Sequence, residues 1–200
     1  MNLDYLVSQY QNGRQLLFDL DNTIFEEKIF LFRAYRYITI NIANPRSQEG
    51  MFEFLKSTFS QNGRGELFNK LVAAYNQQNF TVERCLQLLR SYKCDKCIEP
   101  YPWFKNFLNR IDAKFELYII TNGNVMQQKN KIASINFPLN IKNIKVVFAN
   151  QFTPKPSIDS YTHLKKYQNM TNPLYVGDSA TDKIFSERAG IEFLDVHKLM

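Results

Sequence analysis

The stretch "LLFDLDNTIFEE", Leu16 to Glu27, runs from an unbroken apolar segment straight into four carboxylates. The apolar part reads as a strand buried on both faces. Asp19 and Asp21 stand on alternate residues at its end, so an extended backbone presents them on one side. Two like charges so placed repel each other. The position calls either for a cation or for chemistry that uses both acids.

Four more apolar runs share this form: "FELYIIT" (115 to 121), "IKVVFAN" (144 to 150), "PLYVGD" (173 to 178) and "IEFLDV" (191 to 196). They are continuous rather than alternating, as in strands covered by helices on both sides. Helical patterns separate the later ones, at Val125 to Ile135, Ser157 to Tyr167 and Ala180 to Ala189, the last closed by Gly190. Strand and helix in alternation specify an α/β fold, a doubly wound parallel sheet with right-handed crossovers.

The rhythm breaks once. About 94 residues separate the first strand from the second, where a crossover of about a dozen would suffice. The interval reads as helical throughout, with apolar stripes at Leu31, Tyr35, Ile38 and Ile42, at Phe52, Leu55 and Phe59, and at Leu67, Leu71 and Tyr75. A fourth stripe, Val82, Leu86 and Leu89, follows the N-cap candidate Thr81, with Arg84 at the third position. An inserted all-helical domain with its own core is therefore expected at 25–97, with 1–24 and 98–200 forming the α/β body. The segment "IEPYPWFKNFL" returns the chain to that body through two prolines, and Leu3 to Tyr10 is expected as a short amphipathic helix.

Composition narrows the class. With 44% hydrophobic residues in a chain of 200, there is enough apolar material for a compact core. No run approaches the roughly 18 apolar residues of a membrane span, and the N-terminus lacks the pattern of a secretory signal, so no membrane partner and a cytoplasmic location are expected. Three cysteines, Cys85, Cys94 and Cys97, form no closed disulfide set. "CDKC" has no second ligand pair for zinc, and ordinary thiols near a turn are the expectation. The net charge of +6 draws anions in general. No dense basic block singles out nucleic acid.

In an open parallel sheet the reactive groups gather beyond the carboxyl ends of the strands. Asp19 and Asp21 end the first strand; Thr121, Asn122 and Gly123 end the second; "GDSATD", with Asp178 and Asp182, ends the fourth. Lys155, in "FTPKPSIDSY", precedes a helix that Pro156 can start. Together these are the parts of a phosphoryl-transfer site. A carboxylate, Asp19, can take the phosphoryl group as an aspartyl phosphate, and Mg²⁺ bound by Asp19, Asp178 and the main-chain carbonyl of Asp21 would screen anion from anion. Thr121, Asn122 and Gly123 can cradle the phosphate oxygens, and Lys155 can cancel the remaining charge. Asp21 can protonate the leaving oxygen and then deprotonate the attacking water.

With "DLDNT", "TNG", the lysine of "TPKPS" and "GDSATD" in order, the chain resembles the haloacid dehalogenase (HAD) superfamily, in its phosphatase branch. The resemblance covers the α/β body, and the helical insertion is similar to the family's C1 cap, which closes over the site and selects the substrate. It implies Asp19 as nucleophile, Asp21 as acid and base, Thr121 and Lys155 on the phosphate, and Asp178 on Mg²⁺. Asp182 is implied as a support for the metal or the lysine rather than a ligand. Family dehalogenases lack the second acid of the first motif, so Asp21 argues for phosphate.

The resemblance places specificity in the cap. There Lys28, Arg33 and Arg36 line the first helix, either to meet an anionic or polyhydroxyl leaving group or as a solvated basic face. The expected partner is a small phosphorylated metabolite, a sugar phosphate or nucleoside monophosphate. A phosphomutase, a nucleic-acid-end phosphatase and a non-catalytic phosphate-binding relative are the alternatives.

Overall fold

The structure, a computed structural model, describes residues 2–75, 80–94, 96, 98–111, 115–139 and 141–200. Five parallel strands form one sheet: β1 (Leu16–Phe18), β2 (Phe115–Thr121), β3 (Ile141–Phe148), β4 (Leu174–Gly177) and β5 (Glu192–Asp195), in the order β3-β2-β1-β4-β5. β1 is central, with Leu17 beside Tyr118 on one flank and Tyr175 on the other. The chain leaves β1 toward β2 and later returns to β4 on its other flank. That reversal opens a crevice at the carboxyl end of β1.

The continuous apolar runs do what their pattern implies. Leu16 and Phe18 belong to one buried cluster and Leu17 to a second, on the opposite face. Leu174 and Val176 divide from Tyr175 in the same way, as do Leu117 and Ile119 from Tyr118 and Ile120. Helices α1 (Leu3–Gln11) and α6 (Pro102–Leu108) cover the first face. α8 (Asp159–Tyr167) and α9 (Ala180–Ala189) supply Tyr161, Leu164 and Phe185 to the second. Gly190 closes α9 in the left-handed region, at φ 66°, where a glycine carries no Cβ penalty.

The long interval forms α2 (Glu27–Ile42), α3 (Gln48–Asn62), α4 (Leu67–Tyr75) and α5 (Val82–Ser91). The Thr81 side chain caps α5 by accepting from Arg84 N. These helices pack on one another, and α5 also packs on α7 (Val125–Ser134). Their apolar residues are not sealed off as a core of their own. Leu31, Leu55 and Leu71 join the cluster that holds Phe18, Trp103 and Phe104, so the interior is continuous between insertion and sheet.

Three local expectations change. α8 begins at Asp159 and not at Pro156, so Lys155 sits in a loop that leaves β3. β3 starts at Ile141, three residues before its apolar run, because pairing with β2 holds the more polar Ile141–Asn143. Cys94 is disulfide-bonded rather than a free thiol, and Cys97 lies outside the described residues. Among the described residues no helix is long and apolar enough to cross a membrane.

Candidate active site

A cavity of about 220 Å³ opens at the carboxyl ends of β1, β2 and β4 and is lined by Asp19, Asp21, Thr121, Asn122, Lys155, Asp178 and Asp182. Sequence positions 19 to 182 thus meet at one place. Gly123, the remaining member of the expected set, does not line it. Its N–H donates to Asn150 Oδ1 at 2.7 Å, which leaves that donor engaged.

Lys155 is the hub. Its ammonium, 6% exposed as a residue, donates to Asp19 Oδ1 at 2.7 Å, Asp182 Oδ1 at 2.6 Å and Tyr175 OH at 2.8 Å, so all three of its protons are matched. Asn122 aims it. The Asn122 side chain donates to the Lys155 carbonyl and accepts from the Lys155 N–H, at 3.0 and 2.9 Å. Burial would strip the charge from Lys155, but Asp19 and Asp182 outweigh it and raise the ammonium above its ordinary value.

Asp182 is held on both oxygens. Oδ1 takes Lys155, while Oδ2 accepts from Ser179 Oγ at 2.6 Å and from Ser179 N at 3.3 Å; with Asp182 N donating back to Ser179 Oγ at 3.2 Å, this closes a capping box at the start of α9. The approach requires Gly177, since a Cβ there would stand 2.7 Å from Asp182 Cβ. Asp19, Asp178 and Asp182 each bring a carboxylate oxygen within 4.8 Å of the other two. Burial, with Asp182 and Asp21 adding repulsion against the pull of Lys155, pushes Asp19 up to about 8. Burial and Asp182 push Asp178 up to about 6. Three carboxylates around one lysine carry surplus negative charge, and hard oxygen donors of this kind suit a divalent cation. With Asp182 committed on both sides, Asp19 and Asp178 are the side chains that fit as its ligands.

Asp21 faces a different environment. Its Oδ2 accepts from Lys131 Nζ at 2.7 Å and Gln128 Nε2 at 2.9 Å, while its Oδ1 is buried without a hydrogen-bond partner among the described residues. Burial alone would raise this carboxyl, but Lys131 and then Gln128 override it and hold it below its ordinary value. Gln128 Nε2 also lies 2.6 Å from Thr121 Oγ1 and 2.8 Å from the Asn122 carbonyl. Asn22, at φ 56°, turns the chain after Asp21, and its side chain accepts from Glu27 N at the start of α2.

The cap-helix expectations fare unevenly. Arg36 pairs with Glu49 and sits over the Phe52 ring at 3.7 Å, and Arg33 donates to Cys94 Sγ at 3.5 Å; neither lines the cavity. Lys28 lines an adjoining space of about 370 Å³ that shares Asn22, Glu27 and Asp178 with the first, and it pairs with Glu26 at 2.6 Å. Among the described residues, the basic side chain from the insertion that does line this cavity is Arg64, between α3 and α4. Sequence reasoning passes over Arg64, Glu27, Gln128 and Lys131, because none forms a local motif with the strand ends it serves.

A family model described as haloacid dehalogenase-like hydrolase matches residues 16–196. A comparison with curated proteins finds no match. Among solved structures, a candidate β-phosphoglucomutase from Thermotoga maritima is similar with a TM-score of 0.60 at 16% identity, over 91% of this chain and 84% of that one. The candidate HAD-hydrolase YfnB from Bacillus subtilis, bound to magnesium, gives 0.56 at 20% identity, over 90% and 86%. The L-2-haloacid dehalogenase of Xanthobacter autotrophicus, with chloropropionic acid covalently bound, gives 0.56 at 14%, over 91% and 76%. At these identities the likeness is one of fold.

Proposed function

Because the chain belongs to the haloacid dehalogenase-like hydrolases, we propose that it is a magnesium-dependent phosphatase, acting on a small phosphate monoester through an aspartyl phosphate. The observation that carries this reading is Asp21: a second carboxyl beside Asp19, fixed through Oδ2, with a buried and unpartnered Oδ1 on a residue that lines the cavity. A halide leaving group has no use for such an acid. An alkoxide departing from phosphorus does.

Asp19 attacks phosphorus. The new bond is Asp19 Oδ to P, the bond broken is P to the ester oxygen, and the Asp21 carboxyl delivers a proton to that oxygen as it leaves. Water then attacks the aspartyl phosphate, Asp21 takes its proton, and Asp19 is released with inorganic phosphate. In the substrate-free site Lys131 and Gln128 favour ionised Asp21, the form needed by the second step. An entering phosphate anion favours the protonated form needed by the first.

Lys155 begins fully matched, yet one of its partners, Asp19, loses its charge on phosphorylation, which frees a proton for the phosphate oxygens. The Thr121 hydroxyl is a second side-chain donor lining the cavity. Mg²⁺, held by Asp19, Asp178 and the Asp21 carbonyl, would supply Lewis-acid screening between the two anions. The leaving group would extend into the adjoining space toward Lys28, Phe59 and Tyr101, room enough for a sugar or a nucleoside.

The test is hydrolysis of a panel of sugar phosphates, nucleoside monophosphates and short alkyl phosphates, with Mg²⁺ and with EDTA, beside Asp19→Asn. We expect metal-dependent release of phosphate that the variant lacks. Activity surviving in Asp19→Asn, or turnover of 2-chloropropionate in place of any phosphate ester, would overturn the reading. Isomerisation of a sugar phosphate without phosphate release would make it a mutase.

A further inference from the structure

Lys131 enters the steps above only through the charge of Asp21, yet its ammonium is among the most buried charges of the described residues, at 1% exposure. An ammonium at that depth is costly unless its partners are close. Lys131 has two, Asp21 Oδ2 at 2.7 Å and Glu27 Oε1. Glu27 is buried as well, and its second oxygen accepts from Arg64 Nη2 at 2.9 Å. Four side chains therefore form one line of alternating charge, Arg64, Glu27, Lys131 and Asp21, running from the α3–α4 connection to the end of β1.

The consequence is orientational. A carboxylate turns readily about its Cβ–Cγ bond, because the two ends of that rotation are chemically alike. Lys131 and Gln128 both bind Oδ2 and neither binds Oδ1, which breaks the symmetry. Glu27, fixed by Arg64 and by its place at the first turn of α2, in turn fixes the Lys131 ammonium.

We infer that Lys131 and Glu27 are positioning residues for Asp21, holding its carboxyl in one orientation at the end of β1 for proton transfer to the leaving group, and that Arg64 ties this alignment to the helical insertion. The inference rests on Asp21 acting as the proton donor of a phosphatase.

A positioning role predicts a loss that depends on the leaving group. An alkoxide needs the proton from Asp21, whereas 2,4-dinitrophenolate leaves without one. The quantity to read is kcat/KM, which runs only as far as phosphoryl transfer to Asp19 and so isolates the donor step from hydrolysis of the intermediate. For Lys131→Met we expect kcat/KM on the best alkyl phosphate to fall about 100-fold, and at least about tenfold further than on 2,4-dinitrophenyl phosphate. Lys131→Arg should recover most of the loss. Arg64→Met, on a side chain 53% exposed, should show the same selectivity with a smaller factor of about three to ten.

Equal factors on the two esters would mean that Lys131 only supports the fold, and would overturn the inference while leaving the phosphatase reading intact. If Lys131→Met does not fold, Arg64→Met decides by the same ratio. Wild-type protein inactive on both esters would overturn the phosphatase reading, and the inference with it.

Discussion

Lys155 Nζ stands 2.7 Å from Asp19 Oδ1, joining the loop after β3 to the end of β1 inside a buried site. The same ammonium neutralises Asp182, so its removal would leave two buried carboxylates without their cation. For Lys155→Met we expect phosphatase activity to vanish and stability in EDTA to fall by ~3–5 kcal/mol in urea unfolding. A loss below about 1 kcal/mol, the range of exposed pairs, would show that the lysine is not the charge that holds the site together.

The metal-free protein should weaken as pH rises. Asp19 is raised from 3.8 to about 8 and Asp178 from 3.8 to about 6, so both favour the folded state while protonated. The stability they contribute is complete below their ordinary value and is lost as pH climbs through the folded ones. Asp21, held low, contributes above its ordinary value, and its stabilisation is lost only at more acidic pH. Urea unfolding in EDTA from pH 4 to 8 should show the decline, and Asp19→Asn should flatten its upper part. Mg²⁺ should restore stability at pH 8 and release protons on binding at pH 7. A wild-type profile no steeper than that of Asp19→Asn would count against the charge surplus.

Asp178 and Asp182 should separate in their response to metal. Asp178→Asn removes a ligand and also relieves repulsion, so it should abolish Mg²⁺ binding by calorimetry while raising stability in EDTA. Asp182→Asn should weaken Mg²⁺ by about 10–100-fold and destabilise the protein, because it breaks the Lys155 contact and the α9 cap together. The reverse pattern would exchange their roles.

Gly177→Ala tests close approach without touching a charge. The new methyl would meet Asp182 Cβ at 2.7 Å and Cγ at 2.8 Å. We expect a cost of ~1–3 kcal/mol and a fall in activity as Asp182 is displaced from Lys155. A thermal melt beside a phosphatase assay reads both, and an unchanged variant would show that β4 can shift to make room.

The strands were legible because burial on both faces needs continuous apolar runs, and Leu16–Phe18 and Leu174–Gly177 have them. The four helices of the insertion were legible from their stripes. α6 was not, since two prolines read as a linker, although Pro102 occupies the first helical turn where it costs nothing. Asp19, Asp21, Thr121, Lys155 and Asp178 could be gathered from sequence because parallel strands deliver their ends to one edge. Lys131 and Glu27 could not be. Each is an ordinary charged residue on an amphipathic helix until α7 and α2 bring them within reach of Asp21. The surroundings of Arg33 and Arg36 were not legible for the complementary reason: helical position fixes a face but not what lies across from it, and here Arg36 finds Glu49 and Phe52.

The unbroken interior also bears on modularity. Substrate selectivity is often altered by transplanting a whole lid from one homologue to another, which presumes that the two parts meet across a wettable seam. Here the transplanted helices would arrive with half of a shared hydrophobic cluster, to be matched against the body where α5 packs on α7. Chimeras of this chain would need their junction repacked, and retuning by point changes around Arg64 and Lys28 is the gentler route.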